Sequence, residues 1–302
     1  MFFNSDSLET IHQSAADTLH VAAQTGEHGE AGGNLFTELL HHLKDTHEIE
    51  YPGGHFELPH FHPIEIAGIS IDLSITKHVL FLWIAATIVL SVTMAAARKN
   101  SKSLIPKGVG NLIEVFVQFI RDDVAIPNMG KAGLKYLPYL LTTFFFILTM
   151  NLLGLIPYGA SATGNISVTL ALAVIAFLMI QLSAIRAQGV GHYLAHLTGG
   201  VHWMLWPLMI PIEILGLFTK PFALCIRLFA NMTGGHIVIV SMIGLIFLFQ
   251  SYLIAPASVG FVAAIDMLEL FVAFLQAYIF TMLTSLFMGL GIQAGHHEEH
   301  GH

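Results

Sequence analysis

Residues 221–240 read PFALCIRLFANMTGGHIVIV, an apolar run that carries one arginine, Arg227, at its seventh position. A guanidinium cannot be deprotonated in a protein, so this stretch takes a permanent charge to a depth where charge is expensive. An ionisable residue in such a place marks a functional site by default. The run is itself only part of a longer one. Pro211 to Phe249 would be about 58 Å long as a helix, and Ala257 to Ile292 about 54 Å, at 1.5 Å per residue. The hydrocarbon core of a bilayer is only about 30 Å thick. A tilt of about 20° does not absorb that excess. The last two helices are therefore expected to lie strongly inclined, as a hairpin turned at Gln250–Ser258, with Pro211 and Pro221 as candidate kinks.

Working outward, the chain of 302 residues is 55% hydrophobic and 11% charged, with a mean hydropathy of +0.71. That is too few charges for a soluble domain and enough apolar runs for several spans. Three further spans follow from the runs His78–Ala97, Leu137–Ile156 and Ile166–Ile185. Between the first two, Asn111–Pro127 places Leu112, Val115, Phe116, Phe119 and Ile120 on one face, as an interfacial helix would. The fold class is all-α and polytopic: five membrane segments plus an interfacial amphipathic helix.

Charge orients it. Residues 1–77 hold twelve Asp and Glu against Lys44 and Lys77, whereas Arg98 to Lys135 hold seven of the twelve Lys and Arg. By the positive-inside rule the far end of the first span is cytoplasmic, which places the N-terminus outside and the C-terminus inside. Three regions result: an acidic, histidine-bearing extension over 1–77 on the outer, periplasmic side, a membrane domain over 78–293, and a cytoplasmic tail over 294–302. Ten of the eighteen histidines fall at or before His78. The extension is expected to be solvated and irregular, apart from a short amphipathic helix over Asn34–His47 that Pro52-Gly53-Gly54 would end. His55, His60 and His62 are broken up by prolines and lack a metal-ligand spacing. The opening MFFNSDSLET has neither the basic start nor the apolar core of a signal peptide. Cys225 is the only cysteine, so no intrachain disulfide can form.

On a helix Arg227 shares its face with Ala223, Asn231 and Gly234, small residues that let a partner helix come close. His236 lies two and a half turns on, on the opposite face, and serves a different compartment. In the last helix Asp266, Glu269, Ala273, Gln276, Phe280 and Thr284 recur at three and four residues as one narrow stripe, which suggests a hydrated path for a proton. With the hairpin centred near residue 253, antiparallel partners have numbers that add to about 505, because both arms rise equally. His236 then faces Glu269 as a titratable dyad near the outer side, and Arg227 is level with Gln276–Tyr278. Glu213 and Lys220 stand toward the cytoplasm, where Lys220 reads most simply as an interfacial charge. His192 and His196 have the spacing of a helical metal pair. The other histidine clusters lie across the membrane from them, which argues against a histidine-box metalloenzyme; no metal ligand set and no cofactor is expected.

Taken together, KPFALCIRLFANMTGGH (Lys220–His236) and LELFVAFLQAYIF (Leu268–Phe280) resemble the a subunits of F-type ATP synthases, the stator half of the proton channel. NLLGLIP (Asn151–Pro157) and GNISVTLALA (Gly164–Ala173) extend the resemblance, which covers roughly residues 77–293. It implies that Arg227 is the essential arginine, that Asn231 and Gln276 are its polar neighbours, and that Glu213 faces a cytoplasmic half-channel. It further implies a rotating c-ring with a carboxylate on each subunit, b-type peripheral stalk subunits, a bacterial inner membrane, and no nucleic-acid partner. No covalent bond would be made or broken by such a subunit. In better-known members the outer dyad has its acid on the first helix and its histidine on the second; His236 and Glu269 are exchanged. The alternative reading is a self-contained secondary transporter, against which stands the lack of internal symmetry between two halves.

Overall fold

The computed structural model of the chain describes residues 48–51, 54–57, 64–66, 69–71, 76–100, 108–156, 159, 161–197, 204, 206–249 and 254–296. From residue 76 onward these are almost entirely helical. Helix α1 is Lys77–Asn100, α2 Val109–Phe119, α3 Ile126–Met129, α4 Leu137–Gly154, α5 Ile166–Gln188, α6 Val190–Leu197, α7 Trp206–Phe249 and α8 Ile254–His296. Among the described residues five helical stretches are long and apolar enough to cross a membrane: Lys77–Lys99, Lys131–Gly154, Ile166–Gln188, Trp206–Met242 and Pro256–Gln293. The protein is an all-α polytopic membrane protein, as its apolar runs indicate.

The extension departs from the irregular segment expected of it. Strands β1 (Glu48–Tyr51) and β2 (Gly54–Glu57) pair antiparallel, with Glu48 opposite Glu57 and Tyr51 opposite Gly54. Strands β3 (Ile64–Ile66) and β4 (Ile69–Ile71) form a second hairpin. The sequences EIEY, IEI and ISI do alternate polar and apolar residues. Runs of three or four residues are too short to stand out as strands among so many acids and histidines. Of the stretch Pro52-Gly53-Gly54, read as the end of a helix, Gly54 instead begins β2 and pairs with Tyr51, and residues 52 and 53 lie outside the described residues. The proposed helix over 34–47 and the last six residues of the tail lie outside the described residues.

The interfacial helix also differs in detail. Helix α2 ends at Phe119 and gives way to a π-helical turn, Ile120–Ala125, followed by α3. Its apolar face splits between two surroundings. Phe116, Phe119 and Ile120 turn inward, with Phe116 5.7 Å from the Phe144 ring and 5.9 Å from Phe274, and Phe119 5.5 Å from Tyr278. Leu112 and Val115 stay uncovered by the chain.

The chain divides into two compact units. The larger comprises Asp45–Gly234 and Met267–His302, so it holds α1 to α6, most of α7 and the C-terminal part of α8. Its core is built from Leu140, Phe144, Ile147 and Met150 of α4, Ala176 and Ile180 of α5, Leu224 and Leu228 of α7, and Ala277, Phe280 and Met288 of α8. Asn165 caps α5 by accepting from the Ser167 N–H at 2.9 Å, and Gly189 at φ 80° ends the same helix. That positive φ suits a residue without Cβ. The second unit is described over Gly235–Phe249 and Ile254–Asp266, the remaining parts of α7 and α8. Helix α7 runs without a break through Pro211 and Pro221, over 44 residues. Its contour is then about 66 Å at 1.5 Å per residue.

Candidate functional site

Helix α7 sets out the face that the spacing requires. Ala223, Arg227, Asn231 and Gly234 are all exposed, and a Cβ added at Gly234 would meet nothing within 4 Å. The opposite side of the same helix is buried: Leu224 at 1%, Cys225 at 2%, Leu228 at 1% and Met232 at 8% exposure. The leucines and the methionine thus anchor α7 on the core, and the arginine stands on the side that this chain leaves uncovered.

The α8 stripe points the other way. Glu269, Ala273, Gln276, Phe280 and Thr284 are buried, whereas Asp266, which belongs to the smaller unit, is exposed. An amide buried to the extent of Gln276, at 3% exposure, needs a partner. Asn231 provides it: its Nδ2 donates to Gln276 Oε1 at 2.8 Å. The numbers of this pair add to 507, two residues from the count expected for the hairpin. Arg227, one turn before Asn231 on α7, therefore stands beside a fixed amide pair. His236 is half-buried in the smaller unit, and Glu269 is buried in the larger.

Toward the other end of α7 lie Glu213 and Lys220, both half-buried. Lys220 is not simply extended to an interface: its Nζ sits 5.1 Å from the centre of the Phe287 ring on α8, a cation–π contact. Helix α6 brings Tyr193 into this neighbourhood, and its hydroxyl donates to Gln181 Oε1 on α5. Burial raises the Tyr193 pKa, and the negative charge of Glu213 raises it further. His192 does lie on a helix, but among the described residues no three His, Cys, Asp or Glu come together as metal ligands.

Two polar sets escaped the sequence reading. Asn151 of α4 is 1% exposed; its Nδ2 donates to the Ala273 carbonyl at 3.2 Å and its Oδ1 accepts from Thr163 Oγ1 at 2.8 Å. Ser161 and Thr163 share a further hydrogen bond of 2.8 Å. At the other end of α8, Ser285 Oγ donates to the Val124 carbonyl of the π turn at 3.1 Å, Asn128 Nδ2 donates to the same oxygen at 2.9 Å, and Gln293 Nε2 donates to the Asn128 carbonyl at 3.2 Å. The signal for the first set was the NLLGLIP stretch, noticed only through resemblance. Nothing in the sequence shows that a backbone carbonyl is the acceptor.

These features define a helical multi-pass membrane protein whose last two helices carry a lone, uncovered guanidinium beside a polar seam. Against known proteins, a family model described as ATP synthase A chain matches residues 79–289. Similar proteins include an ATP synthase subunit a of Chloroherpeton thalassium, 53% identical over 267 residues, 87% of this chain and 78% of that protein. An ATP synthase subunit a 2 of Chlorobaculum tepidum is 53% identical over 289 residues, 94% of this chain and 80% of its own. One of Myxococcus xanthus is 52% identical over 247 residues, 80% and 82% of the respective chains. The chain belongs to the ATP synthase subunit a family of the F-type Fo sector.

Proposed function

We propose that the chain is the stator of an Fo proton channel in a bacterial inner membrane, passing protons to and from carboxylates on a rotating c-ring. The observation that carries this reading is Arg227 on an uncovered face of small residues, next to the Asn231–Gln276 pair. Small neighbours allow a second helix to approach, and a guanidinium presented there meets whatever the partner carries.

A proton enters from the outer side past His236 and Glu269 and neutralises a ring carboxylate, so that this part of the ring can turn into lipid. A protonated carboxylate arriving from the other side releases its proton to the cytoplasmic path near Glu213 as it nears Arg227. The guanidinium favours the ionised form because an opposite charge lowers a carboxyl pKa. The same charge repels a proton from crossing directly between the two paths. Each proton must then ride the ring, and a membrane potential supplies about 2.3 kcal/mol per charge per 100 mV to turn it. The length of α7 and α8 supports helices inclined along the ring, held to the rest of the complex by b-type stalk subunits. The chain itself performs no covalent chemistry.

Arg227→Ala, in a complex that still purifies with its ring, is expected to abolish proton-driven ATP synthesis. Normal synthesis in that variant would overturn the assignment. Purification alone separates the rival: a self-contained transporter would leave mild detergent without a ring.

A further inference from the structure

The α8 stripe is held at its middle by a side chain outside the two last helices. Asn151 is 1% exposed and Thr163 wholly buried, and Ser161 is 6% exposed. Thr163 donates to Asn151 Oδ1, which fixes the amide so that its Nδ2 faces α8 and donates to the Ala273 carbonyl. That carbonyl lies one turn after Glu269 and one turn before Gln276, between these two polar residues of the stripe. Helix carbonyls can accept a second bond, and a cross-helix donor in a buried site fixes the axial position of the helix that it reaches. Close packing supports the contact: a Cβ at Gly154, one turn beyond Asn151, would fall 2.5 Å from Ser161 Cβ and 2.7 Å from Met232 Cε. The spacing of Asn151 and Gly154 in NLLGLIP is thereby explained by a donor to α8 and a gap that lets the outer turn and α7 close over it.

We propose that Asn151, oriented by Thr163, is a positioning residue for the proton path: it sets the height of α8, and so places Gln276 against Asn231 and fixes the level of Glu269. This rests on the stator reading above. Of the elements that meet here, α8 carries Asp266, Glu269, Tyr278 and His296 and α7 carries Glu213, Lys220, Cys225, Arg227 and His236; α4 carries only Tyr139, three turns away, and the Ala162–Gly164 turn none.

The test is ATP synthesis by the whole complex in liposomes, driven by a fixed pH difference while the pH on the outer side is varied, each rate divided by that of the parent. Asn151→Leu keeps most of the volume and removes both bonds. It is expected to lower the ratio by about 10- to 100-fold, the scale on which misplacement by about 1 Å acts. Asn151→Asp separates positioning from packing. An ionised carboxylate still accepts from Thr163 but cannot donate to the Ala273 carbonyl, whereas the protonated acid can do both. Its ratio is expected to be low at alkaline pH and to recover as the outer side is acidified. Asn151→Leu should show no such recovery. Equal ratios for Asn151→Leu and the parent, or an Asn151→Asp variant without recovery, would overturn the proposal. Arg227→Ala in the same liposomes tests the stator reading by itself, since its outcome does not depend on Asn151.

Discussion

The Asn231–Gln276 pair shows how burial selects a partner. Gln276 is almost fully covered, and its hydrogen bond to Asn231 crosses between the two helices that matter most. Asn231→Leu leaves the Gln276 amide buried with its acceptor unmet, which costs about 1–2 kcal/mol for a polar contact between membrane helices. The expected result is a lower thermal midpoint of the purified complex, and Asn231→Leu combined with Gln276→Leu should recover part of it, because no unmet group is left. A double variant less stable than the single would contradict this. Both residues were legible in the sequence, since an amide in an apolar helix stands out. Asn151 is an amide in an apolar helix too, yet its partner is the backbone of Ala273, which no residue pattern reveals. Thr163 and Ser161 likewise look like ordinary turn residues until the fold brings them under Asn151.

Among the elements, the long apolar runs announced their helices. What stayed hidden was how neighbouring elements meet. The π turn over Ile120–Ala125 offers the Val124 carbonyl to Ser285 and Asn128 and so moors α8 to the interfacial helix. Here the approach is very close: a Cβ at Gly289 would lie 2.1 Å from the Asn128 carbonyl oxygen and 2.8 Å from its carbon. The obstacle is backbone, so it cannot swing aside as a side chain would. Gly289→Ala is expected to cost about 1–3 kcal/mol, the usual penalty of overpacking. Gly216→Ala on α7 is the control, as its added Cβ meets nothing within 4 Å. In open helix that exchange should be neutral or gain about 0.5–1 kcal/mol, because alanine loses less backbone freedom than glycine. The measurement is the thermal midpoint of each purified complex; equal midpoints for the two variants would refute the close mooring.

At the scale of the whole molecule, the number of crossings decides where the ends lie. Among the described residues five helical stretches are long and apolar enough to span, and we propose that each crosses once, which would put the two termini on opposite sides. Arg98 and Lys99 close α1, Lys131 and Lys135 precede α4, and Arg186 closes α5, so by the positive-inside rule each of these ends is expected on the cytoplasmic side. On the proposed orientation α7 would leave the cytoplasm, α8 would return to it, and residues 1–77 would stay outside. A thiol probe can read this directly, because Cys225 is the sole cysteine and only 2% exposed, packed 3.5 Å from Thr169 Oγ1. An impermeant maleimide should therefore leave the parent chain unlabelled. Asp72→Cys is expected to react in whole cells with a permeabilised outer layer and not in inverted membrane vesicles, and His302→Cys the reverse. If both positions reacted from the same side, one of the long apolar helices would have to turn back without crossing. The two paths that the proton mechanism assigns to opposite faces of the membrane would then open on one.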